Sequence, residues 1–359
     1  MNNSKMQTAA LSQSGPVGAM AGEALPFPVI VGDVGGTNAR FAIVPSATEP
    51  FIRLPAQRTA AFDSIEEALI AALEGWEGAP PASALFAVAG PVLGHRIPLT
   101  NCPWVIDVQT VMARLDLSII MAVNDFEGQA LAAAALRDDA WTTLRQGSPV
   151  VGAPRIVLGP GTGLGVGGLL DLPNLWVPVP GEGGHVDLGP RTEDDLALWP
   201  YLHQQVGSRV SGESVLCGRG LLTLYRAMAA RHGETPLHAT PEAVTDAAGA
   251  GDDPLAVQTI RHFVTYLGRV AGDLALIYGA RGGAYITGGI APAILPFLQG
   301  PEFARSFDDK APHSAWLSEI PIHVVAHSSP AIAGLAAYAA EPQHYAVSRS
   351  ERCWMRDGL

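Results

Sequence analysis

The sequence predicts an α/β protein of two domains that face each other across a cleft. Three observations carry that expectation. The chain has 359 residues, more than one hydrophobic core usually serves. Apolar runs of strand length alternate with longer segments of helical periodicity. Finally, two glycine-rich turns of the same build, GDVGGTNAR at 32–40 and GPGTGLGVGG at 159–168, each follow a short apolar run. Backbone N–H groups approach phosphate oxygens closely only where no Cβ intervenes, and successive amides of a tight turn form an anion-holding concavity. The paired turns therefore read as a split phosphate clamp.

Residues 1–26 hold one lysine and no continuous apolar stretch before a cleavage-like site, which predicts a flexible extension and not a signal peptide. Phe27 to Val34 is rich in β-formers, Gly35-Gly36 turns it, and Ala39 to Val44 returns as a second strand. Ser64 and Glu67 have capping-box spacing, and Ile65, Ala68, Leu69, Ala72 and Leu73 follow at helical intervals. Ala84 to Ala89 is a strand ending at Gly90-Pro91. Asp107 is placed to cap a helix carrying Val108, Val111, Met112 and Leu115, and Ser118 to Val123 is another strand. Asn124 and Asp125 fall just past its end, where alternating β/α sheets open into a ligand crevice.

The second half repeats the plan, which implies an internal duplication. A strand from Arg155 to Leu158 leads into the second glycine-rich turn, and strands follow at Leu164 to Leu170 and near Trp176 to Pro178. Between Pro254 and Gly279, residues Ile260, Phe263, Val264, Leu267, Ala271, Leu274 and Tyr278 trace one helical stripe ended by a glycine of C-cap type. Ala284 to Thr287 is a buried-type strand leading into Gly288-Gly289. Pro321 to Ala326 is another, followed by Ser329-Pro330 as N-cap and first residue of a last helix. The tail from Glu341 is expected to be loosely held.

The formal charge of -12 and pI near 5.2 argue against a nucleic-acid footprint or an anionic-membrane patch, so an anionic ligand must be held locally. Lys5 and Lys310 are the only lysines. That excludes the phosphate-loop lysine of G-x-x-x-x-G-K-[ST] and disfavours Schiff-base chemistry. Cys102, Cys217 and Cys353 are odd in number and far apart, fitting neither a disulfide framework nor a zinc knuckle, so a reducing cytoplasm is the expected setting. No run reaches the roughly 18 apolar residues that span a bilayer.

Several residues then suggest chemistry. A carboxylate at a phosphate site repels it unless a cation intervenes, so Asp33 implies Mg²⁺, held through water; an Asx turn made by Asp33 or Asn38 is the structural alternative. Thr37 and Asn38 add short polar side chains beside the first glycines. Thr162, between Gly161 and Gly163, belongs to the opposing jaw, and two jaws on two domains suit a nucleoside triphosphate. Asn124-Asp125 reads either as an ordinary helix N-cap or as a general base that accepts a proton from an attacking hydroxyl. PGEGGHVDLG at 180–189 sets Glu182 and His185 three apart, an acceptor and a switchable donor suited to ring hydroxyls, and a zinc site is disfavoured there. Glu213 in SGESVLCG is either a helix-start carboxylate or part of the same polyol site.

From about Val29 to Ala340 the chain resembles the bacterial glucokinase family, within the larger group of sugar kinases, actin and Hsp70-type ATPases. The resemblance rests on VGDVGGTNARFAI, LTNCPW, VNDF, GPGTGLGV, PGEGGHVDLGP, SGESVLCGRGLLTLYRA, ITGGIAP and the run near HSSPAIAG. It implies a ribonuclease H-like, actin-like ATPase fold. It also sets the domain limits: residues 27–135 with 326–342 as a small α/β domain, 136–325 as a large one, and 343–359 as a loose tail. ATP-dependent phosphorylation of D-glucose at its 6-hydroxyl is the implied activity, in a cytoplasmic homodimer. By the same resemblance Gly32, Asp33, Val34, Gly35, Gly36, Thr37 and Asn38 together with Gly161, Thr162 and Gly163 hold phosphates, and Gly288-Gly289 lies by the adenosine. Asn124, Asp125, Glu182, His185 and Glu213 bind glucose, Asp125 as the base, with Asn101 lining the sugar side.

The chain departs from the pattern at Ser328-Ser329, where a related enzyme has Asp-Asn, and at Arg219, where it has proline. A cysteine-rich zinc motif and a DNA-binding helix-turn-helix, features of the repressor-like sister family, are missing. Two other readings use the same cleft: a non-catalytic sugar-sensing regulator, and an actin- or chaperone-type ATPase. A related hexose kinase with another sugar or donor is the third.

Overall fold

The β-rich run that opens the first half becomes β1 (Val29–Val34), which pairs antiparallel with β2 (Asn38–Val44). The computed structural model describes residues 23–100 and 102–356. Short β3 (Ile52–Arg53) and β4 (Gln57–Arg58) both add to β2. Helix α1 (Ile65–Leu73) starts where Ser64 Oγ accepts the Glu67 N–H at 3.4 Å, although the Glu67 carboxylate bonds the Asp63 N–H instead of closing the box on Ser64. β5 (Ser83–Val88) runs parallel to β1. A separate hairpin of β6 (Arg96–Pro98) and β7 (Val105–Asp107) leads into α2 (Val108–Leu115), capped by Asp107. β8 (Ile119–Asn124) then runs parallel to β5, and α3 (Asp125–Ala135) leaves its end.

The second sheet is built from β9 (Trp141–Arg145), β10 (Arg155–Pro160), β11 (Leu164–Leu172), β12 (Leu175–Gly181), and the later β13 (Gly283–Ile286) and β14 (Ile322–Val325). Between β12 and β13 lie α4 (Glu193–Val206), α5 (Gly218–His232), α6 (Pro241–Ala250) and α7 (Pro254–Tyr278). The α7 stripe is buried from Ile260 through Leu274, and Gly279 ends it with φ 60°. Four shorter helices, α8 (Ile290–Ala293), α9 (Leu295–Leu298), α10 (Pro301–Asp308) and α11 (Ser314–Leu317), cover α7 and the sheet. α12 (Pro330–Ala340) returns to the first sheet.

The duplication expected from the glycine-rich turns extends along six strands of each sheet. The second reads β12-β11-β10-β13-β14-β9, and the first, from the matching edge, β3-β2-β1-β5-β8-β15. In both, the pairings run antiparallel, antiparallel, parallel, parallel, antiparallel.

β15 (Cys353–Met355) corrects one expectation: among the described residues, the tail beyond Glu341 is not loose. It pairs antiparallel with β8, opposing Cys353 to Met121, and Tyr345 and Val347 are buried. An unpaired β8 edge would expose a ladder of N–H and C=O groups, and the tail satisfies it. The expected extension also ends early, because Leu25 is buried and Ser83 Oγ donates to Pro26 O at 2.7 Å; residues 1–22 lie outside those described.

α3 lies between the halves. Ala130 and Ala133 pack with Val157 and Leu169 of the second sheet, while Leu131 joins the first sheet's core with α12. Small residues allow this approach: a Cβ on Gly128 would touch Ala331, and one on Gly334 would meet Ala132 N at 2.4 Å.

Candidate active site

The turn after β1 closes through Gly35 N–H to Asn38 O at 3.0 Å, and Thr59 steadies it from behind by bonding Gly36 O and Thr37 O. Across a cleft of 330 Å³ stands the β10–β11 turn, where Gly161 N–H donates to Gly163 O at 2.8 Å. Gly35, Gly36, Gly161, Thr162, Gly163 and Gly288 all line this cleft, together with Asn124, Asp125, Glu182, His185 and Glu213.

Other expected members lie differently. Gly32 lies within β1, and Val34 is the last residue of that strand, just before the turn. A Cβ on Gly32 would strike the Phe86 and Phe41 rings at 2.8 and 2.9 Å, and Val34 is fully buried, so both serve the core. Asp33 is on β1 too, its carboxylate 3.7 Å from Arg40. Thr37 is exposed on the turn, and Asn38 opens β2 opposite Arg58. Gly289 lies just beyond Gly288 as the exposed residue before α8, outside the cleft lining. Asn101 lies outside the described residues.

Asn124 realises the N-cap reading, and Asp125 opens α3 beside the cleft. Asn124 Oδ1 accepts the Phe126 N–H at 2.9 Å, and Glu127 Oε2 accepts the Asn124 N–H at 3.1 Å, completing a capping box on α3. The Asp125 carboxylate shares the Phe126 N–H at 3.0 Å and borders the cleft. Burial, then the charge of Asp33 and that of Glu182, push Asp125 up to about 7, against the pull of the Phe126 and Asp125 N–H groups. Burial also raises Asp33, with Arg40 opposing.

The polyol cluster is stitched together by backbone. Glu213 N–H donates to Gly184 O at 2.7 Å, and Glu213 Oε2 accepts the Leu164 N–H at 3.0 Å. α5 begins only at Gly218, with Cys217 as its N-cap, so Glu213 is not a helix-start carboxylate. His185 Nε2 lies 3.8 Å from Glu182 Oε2, and both side chains are open to the cleft. The glycines around them admit close backbone: a Cβ on Gly184 would overlap Leu164 O, and one on Gly163 would sit 2.6 Å from Glu213 Oε2.

Among the lining residues given no site role in the sequence are Phe126, Gln129 and Thr287. Phe126 presses its ring into the second glycine-rich hairpin, where a Cβ on Gly159 would lie 2.9 Å from the ring and one on Gly165 would overlap it. Those glycines make room for packing between the halves. Gln129 accepts from Thr287 Oγ1 at 3.0 Å, joining α3 to the end of β13. Its signal was its spacing of four from Asp125 in an alanine-rich helix, which puts both on one face.

The family model described as Glucokinase matches residues 30–342. A glucokinase of Rhizobium etli (strain CIAT 652) is 49% identical over 332 residues, covering 92% of this chain and 97% of that protein. Among solved structures, a glucokinase from an Antarctic psychrotroph aligns with TM-score 0.74 at 32% identity, over 87% of this chain and 98% of that one. A ROK family glucokinase from Streptomyces griseus, in complex with glucose and AMPPNP, shares the fold with TM-score 0.57 at 20% identity, over 86% and 97%. The two-lobed α/β architecture is that of the sugar kinase and actin-like ATPase group. With residues of several family motifs gathered on one cleft and a relative alike across nearly its whole length, the chain belongs to the glucokinase family.

Proposed function

We propose that the protein transfers the γ-phosphoryl group of ATP to the 6-hydroxyl of D-glucose, the entry step of glycolysis, with Asp125 as general base. The observation that carries this reading is the Asp125 carboxyl, lifted to about 7 on a cleft shared by two glycine turns and three sugar-suited side chains. A base with pKa near the working pH combines an ionised form with the strongest drive to take a proton. Glu182, His185 and Glu213 pair sugar hydroxyls and aim the acceptor oxygen at Asp125, while the turns at Gly35–Gly36 and Gly161–Gly163 offer backbone amides to phosphate oxygens. Approach of the two halves about α3 excludes water that would otherwise hydrolyse ATP.

Asp33 fits a Mg²⁺ ion. Burial raises its carboxyl against the pull of Arg40, and the charge of Asp125 sets a second anion near it, so the pair is short of positive charge. A single carboxylate with substrate phosphates and water is the usual Mg²⁺ donor set, and the ion would supply charge neutralisation to the phosphates. Membership of the family adds homodimerisation and a cytoplasmic setting to the reading. Among the described residues no helix is long and apolar enough to cross a membrane.

A coupled ADP-release assay over a panel of sugars and donors tests the proposal. Glucose with ATP should dominate, with strong rejection of galactose, because the wrong epimer leaves buried polar groups unpaired. ATP turnover independent of sugar, or glucose binding without ADP, would overturn it.

A further inference from the structure

The Arg-rich tail belongs to no family motif, yet it reaches the catalytic helix. Ala122 N–H of β8 donates to Arg352 O at 2.9 Å, and Arg352 Nη1 donates to Glu127 Oε1 and Oε2 at 2.9 and 2.7 Å. The Glu127 side chain is 3% exposed. Its Oε2 also takes the Asn124 N–H, while Asn124 Oδ1 takes the Phe126 N–H. Of the residues flanking Asp125, Asn124 is thus tied directly to the Glu127 carboxylate, and Phe126 is tied to Asn124.

From this chain of contacts we infer that Arg352 is a positioning residue, which fixes the direction of Asp125 through Glu127 and the α3 capping box. The inference rests on the reading of Asp125 as the base. Without the guanidinium, Glu127 is a buried carboxylate lacking its counterion, which must take up a proton or swing to water. Either change loosens its hold on the Asn124 N–H. The carboxylate of Asp125, one residue on, then samples directions away from the sugar oxygen, and misplacement of a reacting group by about 1 Å costs rate on the order of a hundredfold. Glu182, His185 and Glu213 belong to other segments, so sugar affinity falls less than turnover.

The test uses the full chain as Arg352→Ala, Arg352→Lys, Glu127→Gln and the double variant Arg352→Ala with Glu127→Gln. In Arg352→Ala, kcat should fall about tenfold or more while KM for glucose stays within about threefold. Arg352→Lys should recover part of that loss, and the double variant should be no worse than the poorer single, because the pair acts as one unit. Hydrogen exchange across residues 119–131 should quicken in Arg352→Ala. A folded Arg352→Ala enzyme with kcat within about twofold of wild type, or losses that multiply in the double variant, would overturn the inference. Should Arg352→Ala not fold, Glu127→Gln decides: a loss in kcat alone supports the clamp, and a loss led by KM refutes it. Wild-type protein that releases no ADP with any sugar would sink the parent reading instead, and exchange at 119–131 would still decide the clamp.

Discussion

Replacing Asp125 by Asn should make the protein both far less active and more stable. The folded-state pKa is raised from 3.8 to about 7 by burial and by the charges of Asp33 and Glu182. A raised carboxyl contributes stability fully below its unfolded value, and that contribution is lost as pH rises through about 7. At about 1.36 kcal/mol per pKa unit, the ionised side chain costs up to about 4 kcal/mol at pH 8, a ceiling because the carboxyl keeps some contact with water. The cost shrinks below about 1 kcal/mol by pH 4. Asparagine keeps an oxygen for the Phe126 N–H and removes the charge. Denaturant melts of ligand-free protein should therefore show Asp125→Asn ahead of wild type by about 2–4 kcal/mol at pH 8 and level with it near pH 4. In the coupled assay the same variant should lose about a hundredfold or more in kcat, and wild-type kcat/KM should climb to a plateau above about pH 7. An acid limb near pH 4, or no stability gain at pH 8, would refute the reasoning.

Gly165→Ala puts a Cβ onto the Phe126 ring, so it should cost about 1–3 kcal/mol in a melt and depress kcat by displacing the residue next to Asp125; unchanged values of both would contradict this. Asp195 is penalised by burial, yet Arg269 at 2.7 Å and the Arg191 and Thr192 N–H groups outweigh it and hold the carboxyl at about 2. Asp195→Asn should then lose about 3–5 kcal/mol, and the wild-type contribution should fade as pH drops from about 4 toward 2; a flat pH dependence would count against the pairing. Gly334→Ala forces a methyl against Ala132 N and Gly128 O at 2.4 and 2.5 Å, with an expected cost of about 1–3 kcal/mol by calorimetry. A neutral result would mean that α12 and α3 separate freely.

Much of the fold was legible because its period is written in the chain. β1, β2, β5, β8, β10 and β11 are runs of apolar residues bounded by Gly, Asn or Asp, and α7 carries an unbroken stripe. The cleft lining was legible where chemistry and position coincide, as at Asp125 past the end of β8 and at Glu182, His185 and Glu213. Glycine was the ambiguous letter. Gly32 makes room for Phe41 and Phe86, and Gly165 for Phe126, and nothing in sequence distinguishes a missing Cβ that admits a ring from one that admits a phosphate. β15 was illegible for another reason: three residues carry no periodicity, and their pairing depends on an edge formed far upstream.

That edge has a consequence for how the protein is made. Arg352 and Glu127 are separated by 225 positions, so at about 5–20 residues per second translation brings out the second partner roughly 10–45 seconds after the first. Throughout that interval the nascent first lobe presents β8 uncovered on the ribosome, a template for strands of neighbouring polypeptides. Crowded expression at high temperature should trap the protein at this stage, and slower initiation, by spacing the polysomes, should raise the soluble yield.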